Sequence, residues 1–73
     1  MNNIKDYLTR VKLIREALET HLLYQRNFNA AYFPNHTPDW ARADSRLDGL
    51  RETITMLTRL QLDLERELAR DIS

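Results

Sequence analysis

The chain carries two long apolar stripes at heptad spacing, separated by one short segment that contains both of its prolines. The first stripe is apolar or aromatic at seven of its nine positions, which are Ile4, Tyr7, Val11, Ile14, Leu18, His21, Gln25, Phe28 and Tyr32. The second stripe has one polar member, and its positions are Trp40, Ala43, Leu47, Leu50, Ile54, Leu57, Gln61, Leu64 and Leu68. Alternating steps of three and four residues are typical of one helix face. The pattern therefore predicts two long helices.

Local signals place the ends of these helices. Pro34 ends the first helix, because the residue before a proline is disfavoured in helical conformation. Thr37 and Pro38 are typical of an N-cap followed by a first helical residue. The short linker requires the helices to run antiparallel. The predicted fold class is all-α, a single helical-hairpin domain over residues 1–73 with helices at about 3–32 and 38–70, expected to dimerise into a four-helix bundle.

Composition narrows the class of protein. The chain has 73 residues, no cysteine, and eleven acidic residues balanced by eleven basic ones. A neutral balance disfavours a general attraction to nucleic acid or to an anionic membrane. We find no apolar run of membrane-spanning length and no signal-peptide pattern at the N-terminus, so the expected location is the cytoplasm. No motif indicates catalysis, a small-molecule substrate, a cofactor or a metal site.

Several apolar residues fall outside the stripes that a hairpin would cover. They are expected to bind another protein or a second copy of the chain, since two packed helices bury only one face each. Phe33 and Trp40 add aromatic surface at the turn, and Phe33 is expected to be the most exposed of the turn aromatics. Gly49 would allow close approach of another backbone or is simply tolerated. The expected interface residues are Leu13, Leu23, Tyr24, Phe33, Trp40, Gly49, Met56 and Leu60.

Three polar residues interrupt the stripes: His21, Gln25 and Gln61. Polar residues in an apolar seam can fix helix register and oligomeric state. A metal site is not expected at His21, because the other histidine, His36, lies in the turn far along the helix. We therefore interpret these three as register-setting residues.

Two alternative functions remain open from the sequence. Dimerisation could align Arg42, Arg46 and Arg59 into a stripe that binds RNA or DNA. The overall plan is similar to dimeric RNA-binding hairpins and to the hairpin chaperones of type III secretion needles.

Asp44-Ser45-Arg46-Leu47-Asp48 resembles the Ser-Gln-Glu-Leu-Asp motif of the sporulation aspartyl-phosphate phosphatases, matching it at Leu47 and Asp48. This resemblance implies a phosphatase-like regulator that uses Asp48. On the residues alone, the line Asp44, Asp48 and Glu52 is a solvated face or a surface for a basic partner. The leading expectation is a non-enzymatic interaction protein that acts as an adaptor, chaperone or inhibitor.

Overall fold

The computed structural model describes the backbone of residues 3–72 and the side chains of residues 3–70. This part of the chain forms the helices α1 (Asn3–Tyr32), α2 (Pro38–Ser45) and α3 (Asp48–Ile72), with no strand. α1 packs against both α2 and α3. The molecule measures 53 × 14 × 13 Å, a width that accommodates two helices side by side at a spacing of about 8–10 Å. The predicted all-α helical hairpin is confirmed.

The turn is built from local hydrogen bonds. The backbone N–H and the hydroxyl of Thr37 both donate to the carbonyl of Pro34, at 3.3 and 2.7 Å. The Thr37 hydroxyl also accepts the N–H of Trp40 at 3.3 Å, as expected for an N-cap. His36 has a φ of 66°, the positive value that a type II β-turn requires at its third residue. These bonds fix where the second arm of the hairpin begins.

The second arm is not one continuous helix, which corrects the predicted helix over 38–70. It is divided at Arg46–Leu47, between α2 and α3. The N–H of Leu47 donates to the carbonyl of Asp44 at 3.0 Å, a bond over three residues that tightens the helix locally. Asp44 and Ser45 precede this point, and both residue types compete with helical backbone bonds through their own side chains. The heptad pattern did not reveal the break because the apolar spacing continues across it.

Arg51 bridges this break. Its guanidinium donates to the Asp44 carboxylate at 2.7 Å, to the Asp44 carbonyl at 3.3 Å and to the Asp48 carboxylate at 2.9 Å. The hydrogen bond with Asp44 is the main cause that raises the pKa of Arg51, so the guanidinium stays charged. Arg51 thus ties the end of α2 to the start of α3.

Replacing Arg51 tests this bridge. We expect Arg51→Met to lower the free energy of unfolding by about 1 kcal/mol, because a partly exposed network of charge-assisted bonds is lost while the apolar stem is kept. Urea unfolding followed by circular dichroism measures the change. Arg59→Met is the matched control, since Arg59 is exposed on the same helix. Equal effects of the two substitutions would contradict a bridging role for Arg51.

The face by which α1 packs on the second arm differs from the predicted one. The inward-facing side chains of α1 follow one another at steps of four or three residues. They are Ile4, Leu8, Val11, Arg15, Leu18, Leu22, Gln25, Asn29 and Phe33. Tyr7, Ile14, His21 and Phe28, which the heptad pattern placed in the seam, are exposed. The two lines share Ile4, Val11, Leu18 and Gln25, so the true seam is rotated toward Leu8 and Leu22.

The polar residues that lie in the seam also differ from the expected ones. Gln25 and Gln61 are half-buried, as expected of seam residues, whereas His21 is exposed and does not set register within the hairpin. Asn29 is buried, with 7% of its surface exposed, and Arg15 is half-buried. The sequence interpretation missed both because they lie one position beyond the heptad line. Among the described side chains, the buried nitrogen Nε of Arg15 and the buried Oε1 of Gln61 have no hydrogen-bond partner.

The unpaired oxygen of Gln61 leads to a prediction. Its amide nitrogen donates to Glu65 at 2.7 Å, but its Oε1 is buried without a donor. A buried polar atom without a partner costs roughly 1–3 kcal/mol. We therefore expect Gln61→Leu to raise the free energy of unfolding by about 1 kcal/mol, measured by urea unfolding. Gln61→Ala separates removal of the polar group from added apolar packing, and a loss of stability with Leu would contradict the assignment.

Candidate functional site

One side of the hairpin, here called the Phe28 face, presents most of the exposed large apolar side chains, with polar and charged residues between them. On α1 its inner line is Tyr7, Ile14, His21 and Phe28, seven residues apart. A groove near the turn is lined by Phe28 together with Ala43, Arg46 and Leu47, so Arg46 borders the same face on the second arm. Steps of seven residues keep a helical line on one side. The face therefore continues along α3 through Thr53, Leu60 and Glu67.

The outer edge of the Phe28 face carries a second line on each helix. Residues three positions after Tyr7, Ile14 and His21 are close neighbours on a helix surface. On α1 these are Arg10, Ala17 and Tyr24, and the corresponding edge of α3 is formed by Gly49, Met56 and Asp63. At the turn end, the rings of Phe28 and Tyr32 stack with their centroids 4.5 Å apart. Most of these large side chains are exposed, and they give this face its apolar character.

The opposite side of the hairpin, here called the Trp40 face, is more polar. Its groove of ≈ 390 Å³ is lined by Leu23, Arg26, Asn27, Asn29, Ala30, Asn35, His36, Trp40 and Asp44. The His36 and Trp40 rings meet edge to face, with their centroids 5.7 Å apart. Within α3, Leu60 precedes and Leu62 follows the half-buried Gln61, so the two leucines flank the seam on opposite sides and Leu62 lies along this one. This face therefore presents amides and charges around a few apolar groups.

The eight expected interface residues do not form one surface. Tyr24, Gly49, Met56 and Leu60 lie on the Phe28 face or its edge. Leu13 is exposed further round α1, close to that edge. Leu23 and Trp40 line the groove of the Trp40 face instead. The sequence interpretation missed Tyr7, Ile14 and Phe28 as exposed residues because it had assigned them to the seam.

The turn aromatics have a different order of exposure from the expected one. Phe33 is half-buried, in line with the inner face of α1, and Trp40 is also half-buried. Tyr32 is the exposed member, with 70% of its surface open. The residue after the last helical turn still follows the helix path, since the N–H of Phe33 donates to the Asn29 carbonyl at 2.9 Å. Phe33 therefore contributes to the groove beside Phe28 more than to a free surface.

Gly49 has open surroundings within the chain. A Cβ atom added at this position would meet no atom within 4 Å, and the residue has an ordinary negative φ. Neither backbone conformation nor packing inside one hairpin therefore requires a glycine here. Any close approach to Gly49 has to come from outside the chain.

The charged residues singled out in the sequence are engaged locally. Asp44 and Asp48 both accept hydrogen bonds from Arg51, so a basic side chain of the same chain neutralises much of the acidic line. Arg42 pairs with Asp39 at 3.3 Å, and Arg46 borders the Phe28 groove. Arg59 lines a separate groove with Glu52 and Met56. In a single hairpin, the three arginines of the proposed stripe thus do not share one face.

Over residues 3–70, no group of three or more His, Asp or Glu side chains could hold a metal ion. The candidate site is the Phe28 face, where large apolar and aromatic side chains are exposed.

The helices in the described part of the chain contain no stretch long and apolar enough to cross a membrane. No protein-family model, curated protein or solved structure matches the chain.

Proposed function

We propose that this chain is a small non-enzymatic protein–protein interaction module, an adaptor, chaperone or inhibitor of a partner protein, that acts through the Phe28 face and self-associates. The supporting observation is the contrast between the core and the surface. Among the described side chains, the buried apolar residues are Leu8, Val11 and Leu47. Most other apolar residues of the seam are half-buried, and several exposed large apolar residues lie together on the Phe28 face or its edge.

The energetics favour a covered face. A chain of this size seldom stabilises itself through one core without a staple, a metal or a second subunit. Burial of one large apolar side chain contributes roughly 1.5–3 kcal/mol. Tyr7, Ile14, Phe28 and Leu60 are each about half exposed, so covering them would contribute on the order of 3–6 kcal/mol, a large part of the stability expected of so small a domain. The same surface would then both stabilise the fold and determine which partner binds.

The mass in solution tests the proposal. We expect light scattering after size-exclusion chromatography to give at least twice the chain mass at micromolar concentration. We also expect the melting temperature to rise with protein concentration, because association stabilises the folded state by mass action. A monomer that unfolds cooperatively, at a melting temperature independent of concentration, would contradict self-association.

No second function is proposed. An RNA- or DNA-binding stripe and a phosphatase-like use of Asp48 were both open from the sequence. Asp48 accepts a hydrogen bond from Arg51, and Arg42 pairs with Asp39. These contacts give the residues a local structural role, and no further observation favours either activity.

A further inference from the structure

We propose that the occupant of the Phe28 face is a second copy of this chain, related by a twofold axis parallel to the helices, with both turns at the same end. This inference rests on the proposed function and names its partner and geometry. In this arrangement, α1 of each subunit lies over α3 of the other. Neighbouring helices then all run antiparallel, as they do in up-down-up-down four-helix bundles.

The level of each residue along the hairpin follows from the groove at the turn. The groove is lined by residues between 25 and 33 of α1 and between 43 and 47 of the second arm, so these two stretches lie alongside each other, with Phe28 and Arg46 near their middles. Both arms rise about 1.5 Å per residue in opposite directions. Moving three residues back from Phe28 and three forward from Arg46 brings Gln25 level with Gly49, and Tyr24 lies one residue, about 1.5 Å, further along. A twofold axis parallel to the helices leaves levels unchanged, so residues level in one hairpin face each other across the interface.

Three pairs on the edge of the face then match at successive heptads. One pair joins opposite charges, one places a small residue against a large one, and one places a large residue against a small one. The second residue of each pair belongs to the partner subunit, and the pairs are Arg10–Asp63, Ala17–Met56 and Tyr24–Gly49. On the inner line this register gives one apolar pair, Ile14 opposite Leu60 of the partner subunit, and places the other members opposite polar residues.

Two observations on single residues support these pairs. A Cβ at Gly49 would meet no atom within 4 Å, so packing inside one hairpin does not explain the glycine. A tyrosine ring of the partner subunit packed at this position would explain it. Arg10 makes no ion pair with any described side chain, and Asp63 has only a 3.8 Å contact with Arg66. Arg10 and Asp63 are therefore both available to a second copy.

The direction of the axis is inferred from how far the two hairpins can slide along each other. If the two hairpins ran in opposite directions, they could slide along each other until some residues matched. A twofold axis parallel to the helices permits no sliding, because the register is already fixed inside each hairpin. The match of charge and size at three successive heptads is then a property of the sequence and favours the arrangement with both turns together.

The distance between the two turns tests the arrangement. The chain has no cysteine, so Asn35→Cys gives one spin-label site in the exposed turn. With both turns at the same end, we expect a label–label distance below about 30 Å, given a spacing of about 10 Å between packed helices and the reach of two labels. Hairpins that run in opposite directions would place the labels near the full length of the molecule, 53 Å.

These outcomes separate the two proposals. A dimer with distant labels would overturn the twofold arrangement and leave the proposed function standing. A monomer without dipolar coupling would overturn the second copy as the occupant, and with it the self-association in the proposed function. A dimer with near labels supports both proposals.

A size exchange tests the contact itself. Gly49→Leu should raise the dimer dissociation constant about tenfold or more, because a side chain is forced under Tyr24 of the partner subunit twice in each dimer. The fold should persist, since the position is open within the chain and leucine favours helix. Adding Tyr24→Ala should restore much of the affinity. Failure of this rescue, or an unchanged dissociation constant for Gly49→Leu, would overturn the contact.

Discussion

Leu8→Ala is expected to lower the free energy of unfolding by about 2–5 kcal/mol, the range for large-to-small substitutions in a core. Leu8 has 6% of its surface exposed and faces the second arm from α1. At roughly 0.05–0.15 kcal/mol per residue, the whole chain has on the order of 4–11 kcal/mol of stability. The substitution should therefore remove much of it, and thermal and urea unfolding followed by circular dichroism measure the loss.

Tyr7→Ala is the control that distinguishes the observed seam from the one expected by heptad spacing. Tyr7 precedes Leu8 and is the larger side chain, but 57% of its surface is exposed. Substitutions at exposed positions usually change stability by about 0.5 kcal/mol or less. The stabilities of the two variants should be compared at the lowest protein concentration that can be measured, where association stabilises the fold least. A larger loss for Tyr7→Ala than for Leu8→Ala would contradict the rotated seam.

The hairpin and its ends could be predicted because they depend on local chemistry. Pro34 disfavours helix in the residue before it, and the Thr37 hydroxyl caps α2 as its position suggested. The connection between the arms is too short for any arrangement but antiparallel. Fold class and the helix ends near the turn therefore follow from a few residues whose conformational preferences do not depend on distant contacts.

The rotation of the seam could not be predicted from periodicity. α1 has one apolar line through Leu8 and Leu22 and another through Tyr7, Ile14 and Phe28, and both share the same intermediate positions. Spacing shows that each line is apolar but does not show which one meets the second arm. That choice depends on how the side chains of two helices fit together. The same ambiguity hid Asn29, which is buried although its residue type suggested exposure.

The break after α2 could not be predicted from the sequence for a related reason. The apolar stripe passes through Leu47 without a change of period, and no proline marks the interruption. Its signal is the set of three charges Asp44, Asp48 and Arg51, whereas the sequence interpretation had grouped the two aspartates with Glu52 as an acidic line and left Arg51 out. An arginine seven residues after an aspartate is beyond the usual reach within one regular helix, so the Arg51–Asp44 bridge is recognisable only in three dimensions.

Leu60→Asp is expected to abolish self-association while leaving the hairpin folded. Leu60 is 44% exposed in one hairpin, so its loss removes little of the internal core. A carboxylate at that position would have to be desolvated between two subunits, and an unpaired buried charge costs several kcal/mol. The expected result is a helical monomer by light scattering and circular dichroism, with a melting temperature that no longer depends on concentration.

Leu62→Asp is the matched control, because it makes the same chemical change two residues further along the same helix. Leu62 is 49% exposed and lies along the Trp40 side of the hairpin, away from the Phe28 face. The two substitutions carry the same cost in charge and helix propensity, so a difference between them reports the face and not the residue type. Dissociation by Leu62→Asp with retention of the dimer by Leu60→Asp would assign association to the Trp40 side. Loss of helical signal in Leu60→Asp alone would mean that the hairpin cannot fold without its partner, which the concentration dependence of wild-type unfolding would show independently.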